Sequence, residues 1–138
     1  YVAVLVSGGH TMFVMAKAVG VYEILGSTLD DAIGESFDKV ARLVGIKEVP
    51  GGKYVEQMAK LANYSDLPWV PLPLSTSKET QLRKGCELSF SGMKSYMCRL
   101  VNKYQRDRER IGESCYYQRT CNLAAAFQRR AVEHLIIG

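Results

Sequence analysis

The sequence predicts an α/β fold, because three short apolar strands open the chain and amphipathic helices follow them. A length of 138 residues with 47% hydrophobic and 23% charged residues suits one soluble globular core. We expect one partial lobe, with strands in 1–26, helices in 27–62, a long connection in 63–88 and helices in 89–138. A strand would be expected after the last apolar helix, so the lobe is expected to be truncated at both ends.

The opening strands are predicted from β-branched and apolar runs separated by turn residues. Tyr1–Val6 stops at Ser7-Gly8-Gly9, as a buried strand entering a tight turn would. Thr11–Val19 and Val21–Leu25 are separated by Gly20 and have the composition of two further strands. Such closely spaced strands favour a meander.

The apolar period then changes to that of a helix. Between Asp30 and Val44 the apolar side chains fall on one stripe, and Ser27 or Thr28 is a plausible N-cap. A polar ridge is expected on another face of this helix, formed by Asp31, Glu35, Asp38 and Arg42.

Three more helices are predicted, with ends set by turn and capping residues. They cover Tyr54–Leu61, Gly92 to about Tyr104, and Thr120 or Cys121 to Ile137. Ser89 or Ser91 is the expected cap of the second of these helices. Residues 63–86 and 102–120 are expected to be long connections.

Charge and cysteine content narrow the function classes. Residues 1–77 carry 6 basic and 8 acidic groups, a net of −2, whereas residues 78–138 carry 12 and 6, a net of +6. The basic half could face phosphate, and its densest run, Lys103–Arg110, is either a solvated helix end or a nucleic-acid contact. The four cysteines lack C-x-x-C spacing, which favours a reducing compartment over a zinc ribbon or disulfide framework. No run is long enough to cross a bilayer, and no membrane partner is expected.

Three weak signals point to a ligand site. The Ser7-Gly8-Gly9 turn could cradle a phosphate with backbone N–H groups, or could be an ordinary glycine hairpin. Asp38 could accept hydrogen bonds from ribose hydroxyls, or could be a solvated carboxylate. Gly52, with Glu56 one helical turn later, offers backbone access beside a carboxylate, or simply a helix start.

Other site types find little support in the sequence. The two histidines, His10 and His134, are far apart, and no His, Cys, Asp or Glu spacing marks a metal site. No Ser–His–Asp or Cys–His set can be nominated.

Several blocks, in order along the chain, resemble the TsaD family, once described as glycoproteases. The first is Leu5-Val6-Ser7-Gly8-Gly9-His10-Thr11. The others are Tyr22–Gly26, Asp30–Ala41, Pro50–Gly52, Leu88–Lys94 and Ala124–Gln128. Leu5 and His10 are similar to the bacterial and organellar branch of the family.

The resemblance implies a lobe of the actin-like, sugar-kinase-like (ASKHA) ATPase fold. It also implies transfer of a threonylcarbamoyl group from threonylcarbamoyl-AMP to N6 of adenosine 37 in tRNAs that read codons starting with A. The substrate-binding positions carried over by the resemblance are Leu5, Val6, Ser7, Gly8, Gly9, Asp38, Gly52 and Glu56. Gly8 and Gly9 are then expected to tolerate no side chain, either because the phosphate approaches closely or because the backbone has positive φ.

The same resemblance implies one divalent metal, iron or zinc, whose ligands lie outside these residues. ATP is a second candidate ligand. The implied partners are tRNA and either TsaB-like and TsaE-like proteins or a second copy of the chain. The implied location is cytoplasmic in a bacterium, or mitochondrial or in another organelle in a eukaryote. The alternatives are a metalloprotease and a non-catalytic scaffold, and these residues alone are expected to be inactive.

Overall fold

The computed structural model describes residues 1–71 and 87–137, which form a three-stranded sheet beside a group of helices. The strands are β1 (Val2–Val6), β2 (Thr11–Ala18) and β3 (Val21–Ser27). The helices are α1 (Ile33–Leu43), α2 (Gly52–Lys60), α3 (Ser91–Ile111) and α4 (Glu113–Ile137), with a short 3₁₀ turn at Tyr64–Asp66. Most of the predicted connection 63–88 lies outside the described residues.

The sheet is an antiparallel meander in the order β1-β2-β3, which confirms the predicted arrangement. Phe13 on β2 pairs with Val4 and with Gly26, and it turns its ring into the core. The first strand, however, is exposed rather than buried: Val4 and Leu5 keep 48% and 51% of their surface. The reason is that β1 is an edge strand that no described helix covers.

The core lies where α1, α3 and α4 pack together. Its largest fully buried side chains include Phe90, Met93, Met97 and Phe127. Phe127 meets Phe37 of α1 edge to face, with 5.0 Å between the ring centres. Burial of the α4 segment 120–127 on every side explains why it lacks a helical stripe of polar residues.

The third and fourth helices are much longer than predicted. Residues 102–111 and 113–120, expected in a connection, are helical, and only Gly112 interrupts them at φ +85°. Glycine reaches that conformation without strain, so the chain can turn there from one helix into the next. The segment was missed because its helix face is polar: most of its side chains are exposed to solvent.

The predicted helix caps are also wrong. The N-cap of α1 is Ala32, and the first helical N–H, that of Ile33, donates to the buried Thr11 Oγ1 at 2.9 Å. The hydroxyls of Ser89 and Ser91 do not cap α3 but donate to the carboxylate of Asp30. Neither predicted cap forms, because residues distant in sequence take part in these hydrogen bonds in place of the local capping interactions. None of the helices within 1–71 and 87–137 is long and apolar enough to span a bilayer.

Candidate functional site

Four segments that are distant in sequence meet around one open groove of about 510 Å³. These are the turn after β1, the first half of α1, the first half of α2 and the second half of α4, which contributes Gln128 and Val132. Among the residues that line it are six of the eight predicted site positions: Val6, Ser7, Gly8, Asp38, Gly52 and Glu56. The other two, Leu5 and Gly9, do not line the groove, although both lie within one residue of it in sequence.

The turn after β1 is held by its own serine. Ser7 Oγ accepts hydrogen bonds from the N–H groups of His10 at 2.9 Å and Gly9 at 3.3 Å. The Ser7 N–H in turn donates to the His10 carbonyl at 2.8 Å. The hydroxyl also donates to the His10 carbonyl at 3.2 Å, so it shapes the turn.

The two glycines of the turn have room beside them. Neither Gly8 nor Gly9 has positive φ, so the expectation of a left-handed backbone is wrong. A Cβ placed on either residue would meet no atom of the described part of the chain within 4 Å. The backbone at these positions therefore demands no glycine, and the open space beside Gly8 belongs to the groove.

The first turn of α1 lies directly against this loop through Gly34. The Gly34 N–H donates to the Ser7 carbonyl at 3.2 Å. A Cβ on Gly34 would lie 2.7 Å from both Gly8 Cα and the Ser7 carbonyl oxygen, too close for any side chain. Gly34 therefore positions the turn, a role that its sequence position inside a predicted helix did not reveal.

Asp38 fixes the start of α2. Its Oδ1 accepts a hydrogen bond from the Gly51 N–H at 2.7 Å, across 13 residues of sequence. Gly51 is packed so tightly that an added Cβ would overlap the methyl group of Ala41. Asp38 is thus part of the fold as well as of the groove wall, and the polar ridge is not simply a solvated face.

Glu56 is the second carboxylate of the groove and is more exposed. Its side chain keeps 56% of its surface, and it pairs with Lys60 one turn further along α2 at 3.7 Å. An exposed pair at that distance contributes little to stability. Its carboxylate is therefore free to exchange Lys60 for another partner.

A second polar cluster joins the loop before α1 to the ends of α3 and α4. Asp30 accepts hydrogen bonds from the hydroxyls of Ser89 at 2.5 Å and Ser91 at 2.8 Å and from the Phe90 N–H at 2.8 Å. Burial alone would raise the pKa of Asp30, but these donors lower it below its ordinary value. The cluster stabilises the meeting point of three segments.

His134 of α4 completes this cluster. Its Nε2 accepts a hydrogen bond from the backbone N–H of Ser89 at 3.2 Å, and burial lowers its pKa below the ordinary 6.5. The set is not a catalytic triad, because the Ser89 hydroxyl donates to Asp30 instead of to the imidazole.

Metal-ligating side chains are scattered through the described ranges. Within 1–71 and 87–137, no three His, Cys, Asp or Glu side chains come together in a geometry that could hold an ion. These residues alone therefore do not fit the iron or zinc that the resemblance implies.

Comparison with known proteins gives matches along almost the whole chain. The family model of TsaD, tRNA N6-adenosine threonylcarbamoyltransferase, matches residues 2–137. Curated proteins of that name from Orientia tsutsugamushi (strain Boryong), Wigglesworthia glossinidia brevipalpis and Dictyoglomus turgidum are 40%, 38% and 35% identical, each over 99% of the chain. The matched region is 35% of the Orientia protein and 36% of each of the other two, so the chain spans about a third of their length.

Proposed function

Since the chain belongs to the TsaD family, we propose that its groove binds the adenylate donor, threonylcarbamoyl-AMP, for transfer of the threonylcarbamoyl group to N6 of an adenosine in tRNA. The observation that carries the proposal is the meeting of Val6-Ser7-Gly8, Asp38 and Gly52–Glu56 around one groove. These segments are separated by about 30 and 14 residues of sequence, so only the fold brings them together. A volume of about 510 Å³ falls within the range of small-molecule sites.

The phosphate of the donor has a suitable place beside the glycine turn. The N-termini of α1 and α2, at Gly34 and Gly52, both reach the groove. The start of a helix carries partial positive charge that favours an anion. At α1 the Ile33 and Gly34 N–H groups already donate to Thr11 Oγ1 and the Ser7 carbonyl, so α1 offers its dipole and not these two donors. Because none of the residues in 1–71 and 87–137 fills the space beside Gly8, the donor can approach the backbone closely there.

The ribose of the donor has two candidate acceptors. Asp38 uses Oδ1 for Gly51, and among residues 1–71 and 87–137 no donor reaches its Oδ2. Glu56 lies on the same wall and is only weakly paired. Carboxylates accept hydrogen bonds from vicinal hydroxyls, as acidic residues do in dinucleotide folds.

These residues would bind and orient the donor. The described side chains do not form the site of the metal that the family resemblance implies. The turn and the two helix ends would hold the adenylate leaving group while the amine of adenosine attacks. TsaB-like and TsaE-like partners, or a second copy, stay predictions.

The test is a carboxylate exchange at Asp38 in the protein at its full natural length. Asp38→Asn keeps an oxygen for the Gly51 N–H but removes the charge, whereas Asp38→Ala removes both. We expect Asp38→Asn to weaken binding of a non-hydrolysable donor analogue by about 1.5–3 kcal/mol, the usual contribution of a hydrogen bond to a charged group. Its melting temperature should stay close to that of the wild type.

Titration calorimetry and thermal melts on the same preparations provide the readouts. Glu23→Gln, an exposed carboxylate on β3 that pairs with Lys17 outside the groove, is the charge-matched control and should bind normally. Unchanged donor affinity in a folded Asp38→Asn protein would show that Asp38 is structural only. Absence of donor binding and of tRNA transfer by the wild type would leave the scaffold alternative.

A further inference from the structure

The outer face of α3 carries a row of cations, here named the basic stripe. It consists of Arg99, Lys103, Arg106 and Arg110. The steps of four, three and four residues place all four on one side of the helix, within about 60° of each other. All four are exposed, whereas Met93, Met97 and Val101 on the opposite side are buried in the core.

The charges of the stripe are mostly unneutralised. Within 1–71 and 87–137, neither Lys103 nor Arg106 has an ion-pair partner. Arg110 has one exposed contact, with Asp107 at 3.3 Å. By contrast, Arg108 lies on a different face of the helix and its charge is neutralised. It forms a bidentate ion pair with Glu113 at 2.6 and 2.7 Å and lies over the Tyr116 ring.

A row of like charges costs stability in a helix. Arg99 and Lys103, Lys103 and Arg106, and Arg106 and Arg110 are neighbours at i,i+3 or i,i+4, where like charges repel. An ordinary solvated helix gains stability from alternating signs at these spacings. The uniform stripe is therefore explained better by a polyanionic partner than by solvation.

The neighbouring surface extends the stripe at its N-terminal end. Arg99 lines two adjacent depressions, one shared with Asn102 and Arg106 and the other with Lys39 and Lys94. Lys39 and Lys94 both pair with Asp31, so they contribute less net charge than the stripe itself. The amide side chain of Asn102 adds a hydrogen-bond donor between the cations.

Aromatic side chains lie at the same end. Arg99 stacks over the Tyr96 ring at 5.4 Å, and Trp69 meets that ring edge to face at 6.1 Å. Trp69 is 65% exposed. An exposed ring such as that of Trp69, beside a row of cations, is a common platform for an unpaired base of an RNA.

We propose that the basic stripe binds the phosphate backbone of an RNA. From Arg99 to Arg110 the helix is about 16 Å long, and a duplex of that length carries about ten phosphate charges. Four cations at steps of about 5 Å therefore have phosphates within reach along their whole length. That the RNA is tRNA rests on the proposed function, whereas the phosphate chemistry does not.

The test compares two double variants of the full-length natural protein. Lys103→Gln/Arg106→Gln removes the two unpaired cations and keeps residues that favour helix. Lys17→Gln/Lys47→Gln, at exposed positions on β2 and after α1, removes the same charge elsewhere. Unmodified tRNA is the probe, with its dissociation constant measured by filter binding between 50 and 300 mM salt, values chosen to follow counterion release.

We expect the stripe variant to bind tRNA roughly tenfold to a hundredfold more weakly near 100 mM salt, with its log–log salt slope shallower by about 2. The control should keep at least most of the affinity and the slope. Neither variant should melt at a lower temperature than the wild type, and both should bind the donor analogue normally. A stripe variant with wild-type tRNA affinity and slope overturns the inference.

Two further outcomes distinguish RNA binding by the stripe from the proposed function and from binding to a lipid surface. If wild type binds tRNA through the stripe but binds no donor, the proposed function fails and the stripe stands. If the stripe variant keeps tRNA binding but loses sedimentation with phosphatidylserine vesicles, the polyanion is a lipid surface and the RNA inference is wrong.

Discussion

Replacing Gly8 by valine separates a ligand role of the glycine turn from a structural one. Gly8 lines the groove and has no positive φ, and no atom of the residues that the structure describes lies within 4 Å of an added Cβ. The folded protein can therefore accept the side chain, and the unfolding free energy should change by less than about 1 kcal/mol. Gly9, although also open, does not line the groove, so Gly8 is the sharper position.

The magnitude expected for the ligand follows from what the side chain displaces. A valine at Gly8 would stand where the donor phosphate meets the backbone, and would remove at least one hydrogen bond to a charged group. Such a bond contributes about 1.5–3 kcal/mol. The dissociation constant of the donor should therefore rise roughly 10- to 150-fold.

Gly34→Ala is the matched structural control. Its Cβ would lie 2.7 Å from Gly8 Cα and from the Ser7 carbonyl oxygen, so the backbone must shift. Such overpacking costs about 1–3 kcal/mol of stability. Single-turnover transfer and melting temperature, measured on both full-length variants, decide the case. If Gly8→Val melts early and its activity merely follows its folded fraction, or if it binds the donor normally, the phosphate site beside Gly8 is refuted.

Two further predictions concern stability. Thr11→Val should lower the free energy of unfolding, measured in urea, by about 1–2 kcal/mol, because the buried Ile33 N–H loses its acceptor. Thr11→Ser keeps that acceptor and is the control. Equal losses of stability in the two variants would contradict the prediction. Burial lowers the pKa of His134 in the folded state. As the pH falls, the imidazole is therefore protonated in the unfolded chain before it is protonated in the folded one. Stability should therefore be full above about pH 6.5 and fall as the pH drops below it. If the unfolding free energy of His134→Gln depends on pH below 6.5 as steeply as that of the wild type, the prediction is wrong.

The elements near the start of the chain could be predicted because their signals are local. The β1–β3 meander follows from turn residues between β-branched runs, and the apolar stripe of α1 follows from its period. The helical residues in 102–120 could not be predicted, because most of their side chains are polar and exposed and few apolar residues recur with the period of a helix. The caps failed for another reason: Thr11 and Asp30 reach their partners across 22 and about 60 residues.

The sequence could suggest six of the residues that line the candidate site, but not their roles. Gly8, Asp38 and Gly52 carry chemistry that sequence can suggest, and the groove that joins them appears only in the fold. Gly34 was missed entirely, because a glycine within a helical pattern gives no sign of what it touches. The one signal in the sequence was that glycine is a poor helix former, so its presence at position 34 of a predicted helix could have indicated a close packing contact.

Three polar atoms of the groove hold its own backbone in place. Ser7 Oγ holds the turn, the Ser7 carbonyl holds Gly34, and Asp38 Oδ1 holds Gly51. Each of these bonds fixes a backbone segment whose neighbouring residue, Gly8 or Gly52, faces the groove. A ligand bound there would meet backbone that is already ordered, so little of its binding energy would go into ordering the loop. Substitutions of Ser7 should therefore raise the dissociation constant by loosening the turn, with a loss of stability that Gly8→Val does not share.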